Sequence, residues 1–510
     1  MAGIVASGGA KSLRWLGAAL LFGLGLVVIW APPRPPMVDL PQHAGQIALL
    51  RDLALGHSPW AAELRVDLLT PYLIGYGLAF PLALVMPVSA AIKTVLTAAF
   101  IGFVAASLAI RRELAASPEL DAYFFVPFFG LAYGWGLYTF LVAAPVALAF
   151  VWLVIRYARL GGAARAIGLA ALGLALVLCH GLACVIACAI GLAVLAVRAP
   201  NVGGLLARAW PCLLPLLPCA LFVLAHGRFG GAGGFPVISL GAPVTRLLLG
   251  LSASFTDSGG RWPLIAAVVL IVLPWVGGLS VDWRERDKVA IAAVVLAMFA
   301  FSPLNVGWIG AIYTRFALFL LPAYAWLFRR TEKPPTGLAA VSGPWLQALA
   351  TGVCMVLLAW QAIEAERFTQ ESRAFDTILA RAEPGQRALD LILDQGAPGY
   401  NPYVFMHFGL WYQADKRGLT DFNFAAFPSQ IVRLRQAPSP VNADGAFEWT
   451  PSRFRWTPYD GGRYQYFFVR DRQPIPAGLF AGAPCVPRLV ASSGPWSLFQ
   501  RQACAGSASP

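Results

Sequence analysis

The sequence predicts an α-helical polytopic membrane protein with a small C-terminal α/β domain outside the cytoplasm, and three observations lead there. Hydrophobic residues make up 58% of the 510 and charged residues only 12%, about half the roughly 25% charged content of an ordinary soluble domain. The mean hydropathy is +0.66. Charge is unevenly divided: residues 364–510 hold 13 of the 25 acids and 15 of the 38 Lys+Arg, so acids are scarce before that point. The expected organisation is a membrane domain over 1–363, with outer loops 31–87 and 227–262, followed by an extracytoplasmic mixed α/β domain over 364–510.

The formal charge of +13 does not point to nucleic acid. Most of the excess lies before residue 364, at the ends of apolar runs, where orientation in a bilayer accounts for it.

The first run carries Lys11 and Arg14 ahead of its apolar stretch. No A-x-A site precedes Ala31-Pro-Pro-Arg-Pro-Pro36, so it reads as a retained span and not a signal peptide. A span needs about twenty residues to cross about 30 Å of hydrocarbon. On that measure about eleven are expected, near 13–30, 88–110, 121–136, 137–155, 164–179, 181–197, 209–226, 263–279, 289–304, 313–328 and 345–363. Two stretches stay open: 121–155 and 164–197 are interrupted by Gly134-Trp-Gly136 and His180-Gly181, and each reads as two helices or as one helix with a re-entrant piece.

The segment 71–87 decides sidedness. Excluding it as a span puts Lys11, Arg14, Arg111, Arg112, Arg156, Arg159, Arg198, Arg286, Arg329 and Arg330, among others, on the N-terminal side, as the positive-inside rule requires. It is therefore expected as an interfacial or re-entrant helix. In the tail, residues 364–394 have helical spacing at first, then strands are expected at 388–393, 464–469, 488–491 and 496–500. Of eight cysteines, six lie in apolar segments as small core residues, while Cys485 and Cys504 in the tail suit a disulfide in an oxidising compartment.

The residues that could carry chemistry cluster outside the spans. Asp39 opens Asp39-Leu-Pro-Gln-His43, which reads as a helix start with Asp39 as N-cap and Gln42 closing a capping box, and also as a fixed carboxylate able to act as general base. His43 lies one turn on, where it can pair with Asp39 or share a metal with it, or stand as a plain interfacial histidine. Glu63, Arg65 and Asp67 read as a solvated loop edge. His180, between two apolar runs, is expected to line a cavity or to be a satisfied buried histidine. Arg315 begins a span on the outer side, where a guanidinium forks onto a phosphate or snorkels to headgroups. Arg228 sits in the second outer loop beside Gly230-Gly-Ala-Gly-Gly234, whose glycines lack the strand-to-helix context and lysine of a nucleotide cradle. No zinc spacing, G-x-S-x-G or P-loop is present.

A first span, a long outer loop with an early acid, a Pro71-Tyr-Leu juxtamembrane helix, a second span ending in Arg111-Arg112, many further helices and an outer tail together resemble the GT-C superfamily of membrane glycosyltransferases. The resemblance implies transfer of a sugar from a polyprenyl-phosphate carrier to a glycan, lipid or protein acceptor on the periplasmic side of a bacterial inner membrane. Asp39, assisted by His43, would be the base; Arg315, with His180 and Arg228, would hold the carrier phosphate. A single acid stands where paired acids are common in the superfamily, so metal use stays open, with a divalent ion as the only cofactor considered. The rival readings are a lipid or polysaccharide transporter, whose ionisable residues should line the membrane centre, and a non-catalytic partner in envelope assembly.

Overall fold

A computed structural model of the chain describes residues 2–226, 246, 250, 253–255, 261–305, 310, 312–330 and 343–503, with side chains from residue 14 onward. Among the described residues four helices are long and apolar enough to cross a bilayer: Val88–Glu113, Tyr138–Leu160, Gly181–Arg198 and Gly343–Arg381. Counting the bent pair Val202–Leu213 and Leu216–His226 as one broken span makes five. Ala163–Cys179 and the described part of the first helix, Arg14–Trp30, are shorter apolar helices.

Punctuation by proline and glycine explains where the helices depart from expectation. Residues 121–136 form no continuous helix; they are 3₁₀ turns at Pro118–Phe124 and Pro127–Phe129 followed by one α-turn, Leu131–Gly134. Pro118 and Pro127 each stand where a first turn tolerates the missing N–H, and Gly130 breaks the run again. The 164–197 stretch resolves into two helices, because His180 is extended at φ −172°, ψ 114° between Cys179 and Gly181. The expected 209–226 span starts earlier and bends by 58°, with Pro215 at the break. The segment 71–87 contains the 11-residue helix Leu73–Ala83, too short to span. The last apolar helix does not stop near 363 but runs on to Arg381.

Contacts divide the chain into two units, Met1–Ala31 with Val95–Ile363 and Pro32–Thr94 with Glu364–Pro510. In the first, Tyr138–Leu160, Ala163–Cys179, Gly181–Arg198 and Arg286–Phe301 pack on one another. Small residues permit the close approach: a Cβ on Gly191 would lie 2.9 Å from Cys212 Sγ and 3.3 Å from the Phe150 ring. Ion pairs tie the connecting loops together. Arg14 and Arg111 share Asp121, Arg330 takes Glu119, Arg159 and Arg198 share the fully buried Asp287, and Lys288 and Arg329 share Asp282. Several of the basic residues that the charge bias groups together therefore take part in these ion pairs.

The second unit joins the first hydrophilic loop to the tail. Its mixed five-stranded sheet has the order Leu419–Asp421, Arg387–Ile392, Tyr466–Arg470, Trp496–Gln500, Arg488–Ser493. The first two pairings are parallel and the last two antiparallel. Leu389 and Leu391 face a core with Phe422, Phe447, Phe467 and Val469. Because strand side chains alternate, Asp390 faces the other way, with its carboxylate over Gly409.

The loop contributes the helix Leu40–Ala54, buried along almost its whole circumference, as befits a helix enclosed by its own domain. A short strand, Leu64–Val66, pairs antiparallel with Val432–Leu434 of the tail. Glu63 takes two hydrogen bonds from Arg387 at 2.6 and 2.7 Å, and Asp67 one from Arg433 at 2.8 Å. The solvated loop edge expected at Glu63 and Asp67 is thus a seam of ion pairs to the tail. Cys485 is disulfide-bonded, and Cys504 lies outside the described residues.

Candidate functional site

Asp39 occupies the N-cap position of the Leu40–Ala54 helix, with φ −88° and ψ −4°, and makes no side-chain cap hydrogen bond. The capping box expected from Asp39 and Gln42 does not form, for Gln42 is committed to the tail. Its Oε1 accepts from Phe424 N at 2.9 Å, and its Nε2 donates to Phe422 O at 3.0 Å. Gln46, one turn on, accepts from Val432 N at 3.0 Å. Two glutamine amides thus satisfy backbone groups of Phe422, Phe424 and Val432 in the tail.

His407 completes the arrangement. It is 3% exposed, and its Nε2 lies 3.5 Å from Asp39 Oδ1 and 3.6 Å from Glu448 Oε2. Its Nδ1 lies 3.3 Å from Gln42 Nε2. The backbone partners fix which end of the Gln42 amide is nitrogen, and an amide nitrogen only donates. His407 Nδ1 is therefore an acceptor, and the ring proton is on Nε2, directed at both carboxyl groups. Burial pushes the His407 pKa down to about 3, in agreement with a neutral ring. Burial first, and then the Asp39 charge, push Glu448 up to about 8, so near neutrality Glu448 carries a proton.

His43 bonds to a tyrosine of the same loop. Its Nδ1 lies 2.7 Å from Tyr76 Oη, which donates to Gln430 Oε1 at 2.5 Å, and its ring packs edge-on against Phe424. Asp390, Gln395, His407 and Glu448 border a cavity of about 10 Å³, room for one water. Asp390 Oδ1 has no hydrogen-bond partner, and burial raises the Asp390 pKa well above the usual carboxylate range. Among the described residues no three His, Cys, Asp or Glu side chains are arranged to hold a metal ion.

In the other unit Arg315 and His180 come together. Arg315 Nη1 donates to His180 Nε2 at 3.3 Å and Nη2 donates to Gly310 O at 3.2 Å, while Phe140 stacks its edge on the imidazole and lies 5.9 Å from the guanidinium carbon. A half-buried arginine steered by a buried histidine and an aromatic ring is suited to an anion. Arg228 lies outside the described residues. An apolar groove of about 960 Å³ runs between Arg261–Val276 and the start of Gly343–Arg381, edged by Trp262, Trp345 and Trp360.

His407 and Glu448 were not legible as site residues. Each is an ionisable group inside an aromatic run, Phe405-Met-His407-Phe and Phe447-Glu448-Trp, and that isolation is the only trace the sequence offers. No family model matches the sequence, and no curated protein does. Solved structures do. The crystal structure of ArnT from Cupriavidus metallidurans in the apo state superposes with a TM-score of 0.51 at 12% identity, covering 97% of this chain and 98% of ArnT. The chain has the GT-C fold. The arabinofuranosyltransferase AftD from Mycobacteria aligns with 97% of this GT-C chain and 40% of its own, at 13% identity and a TM-score of 0.49. Asp39 stands at the start of the Leu40–Ala54 helix, and among the described residues four apolar helices are long enough to cross a membrane.

Proposed function

We propose that the chain is a membrane glycosyltransferase that moves a sugar from a polyprenyl-phosphate carrier to an acceptor hydroxyl on the outer face of a bacterial inner membrane. The observation that carries this reading is a first-loop carboxylate, Asp39, at the N-cap of its helix with His407 Nε2 3.5 Å away, in a chain of GT-C fold.

In this mechanism the acceptor oxygen attacks the anomeric carbon in line with the carrier. The new C–O bond forms as the bond to the phosphate oxygen breaks, the electron pair leaves with the phosphate, and the acceptor proton passes to Asp39. To Arg315, hydrogen-bonded to His180, we assign the neutralising of the charge that builds on the leaving phosphate. The isoprenoid chain lies in the apolar groove edged by the three tryptophans. A metal is not required for any of these steps.

The test is transfer of radiolabelled sugar from a panel of polyprenyl-phosphate sugars by the purified full chain in detergent. Wild type should turn over at least one donor, and Asp39→Asn should lose about 10²–10⁴-fold in rate, the usual contribution of a positioned base, while melting at an unchanged temperature. Equal rates for the two proteins would end the proposal.

A further inference from the structure

The loop helix Leu40–Ala54 has Asp39 at one end and Arg51 in its last turn, about 18 Å away along the axis at about 1.5 Å per residue. At the Arg51 end the second unit opens into a groove of about 790 Å³. One wall carries Arg51, His57, Asp415, Lys416 and Arg417. The other is the chain at residues 83–87, and from Gly77 to Pro87 no polar side chain occurs. Leu78, Leu84 and Val85 are exposed, Val85 at 80%, which makes an uncovered apolar strip. The residue after Pro87 begins Val88–Glu113, a helix long and apolar enough to cross a bilayer. The strip and its groove therefore lie where the chain enters hydrocarbon.

The basic wall is organised from beneath. Asp52, 3% exposed, accepts from Arg51 Nε at 2.9 Å on one oxygen and faces Arg417 Nε at 3.7 Å with the other. One buried carboxylate thus sets two guanidinium groups side by side, and the three groups together keep a single positive charge. The Arg417 side chain is half exposed and donates no hydrogen bond among the described residues. The other charges at the groove have partners elsewhere: Lys416 Nζ donates to Ala380 O at 3.1 Å and Ala382 O at 2.6 Å, and Asp415 accepts from Arg34 at 2.8 Å. Arg417 also ends its helix at φ 58°, ψ 23°, a left-handed conformation that glycine or asparagine adopts at less cost. The turn itself gains nothing from an arginine there.

We propose that this groove seats an anionic phospholipid of the leaflet in which Val88–Glu113 begins. Its phosphodiester, with one negative charge, lies on Arg51 and Arg417, and its glycerol and upper acyl chains lie on Leu84 and Val85. The charge of the lipid matches the single charge that Asp52 leaves uncompensated, and a guanidinium presents the forked donors that phosphate oxygens take. A zwitterionic lipid brings an ammonium to the same basic wall, which opposes it. Soluble phosphate would meet the arginines but leave the apolar wall bare. This assignment is independent of Asp39 and of sugar transfer.

The experiment is native mass spectrometry of the full chain in detergent, titrated with dioleoylphosphatidylglycerol or with dioleoylphosphatidylcholine. Wild type should hold the first phosphatidylglycerol about tenfold more tightly than phosphatidylcholine, the equivalent of one charge-assisted hydrogen bond. Arg417→Gly should abolish that preference while the melting temperature holds, because glycine suits the left-handed backbone. Val85→Ser should weaken the binding of both lipids. Arg488→Gln removes the same charge from the edge strand of the sheet and should leave the preference intact. Inorganic phosphate in large excess should not displace the lipid. Equal retention of the two lipids by wild type, or a preference that survives Arg417→Gly, would overturn the proposal. Displacement by inorganic phosphate would also overturn it, since the groove would then be a site for soluble anions.

Discussion

At the scale of single residues, Asp39 stands out in the sequence as the acid that opens the hydrophilic loop after the first span; the nearness of His407 does not, because 365 positions separate it from Gln42. A histidine in an apolar run looks the same from sequence whether it serves a core or a carboxylate. The pair His407 and Glu448 predicts a distinctive stability profile. The folded unit holds His407 neutral, so its contribution is complete above the ordinary value of 6.5 and is lost as pH falls toward about 3. It holds Glu448 protonated, so that contribution is complete below 4.5 and is lost as pH rises toward about 8. Between 4.5 and 6.5 the two slopes cancel. Thermal unfolding of the tail unit should therefore show a plateau over that range with a decline on each side, and Glu448→Gln should flatten the alkaline decline. Arg315 makes a separate prediction: Arg315→Lys cannot both fork onto a phosphate and reach His180, and should raise the KM for the carrier about tenfold, the equivalent of one charge-assisted hydrogen bond of about 1.5–3 kcal/mol.

Among the elements, four tail strands were legible to within about two residues, Trp496–Gln500 included, since short alternating runs between Pro and Gly carry their own boundaries, whereas the three-residue strands Leu419–Asp421 and Val432–Leu434 were missed. The stretch 121–136 was not, because hydropathy registers apolar content and is blind to Pro118 and Pro127 starting new turns. The burial of the Leu40–Ala54 helix was also hidden: with Gln42, His43 and Gln46 on its surface it reads as amphipathic, yet each polar side chain has a partner inside the unit. Gly45 shows how tight that enclosure is. A Cβ there would lie 2.5 Å from Gln413 Nε2, and Gln413 is itself held by Asn423. Gly45→Ala should cost about 1–3 kcal/mol by overpacking, measured as a lowered melting temperature, and should weaken Asp39 function with no change in the residues that touch it.

On the scale of the whole molecule, basic residues that the charge bias groups together, Arg14 with Arg111 and Arg159 with Arg198, share Asp121 and Asp287 in the first unit. What the division at residue 363 could not convey is that residues 32–94 fold with 364–510. A strand pairing and a row of side-chain to backbone bonds across 350 or more positions leave no mark in composition. The two segments must share one compartment. Cysteines introduced at Leu69 and Arg455, both exposed, should react with an impermeant maleimide from the same side of intact cells, and labelling from opposite sides would contradict the fold.

The late arrival of His407 also has a bearing on biosynthesis. A ribosome releases the aspartate-bearing helix early, and every membrane segment must then be threaded before the tail emerges to enclose it. Until then the two glutamines on that helix lack the tail backbone groups they bind, so a chain terminated early would expose them to chaperones and proteases. Closure of the unit around that helix thereby reports that the tail has been made.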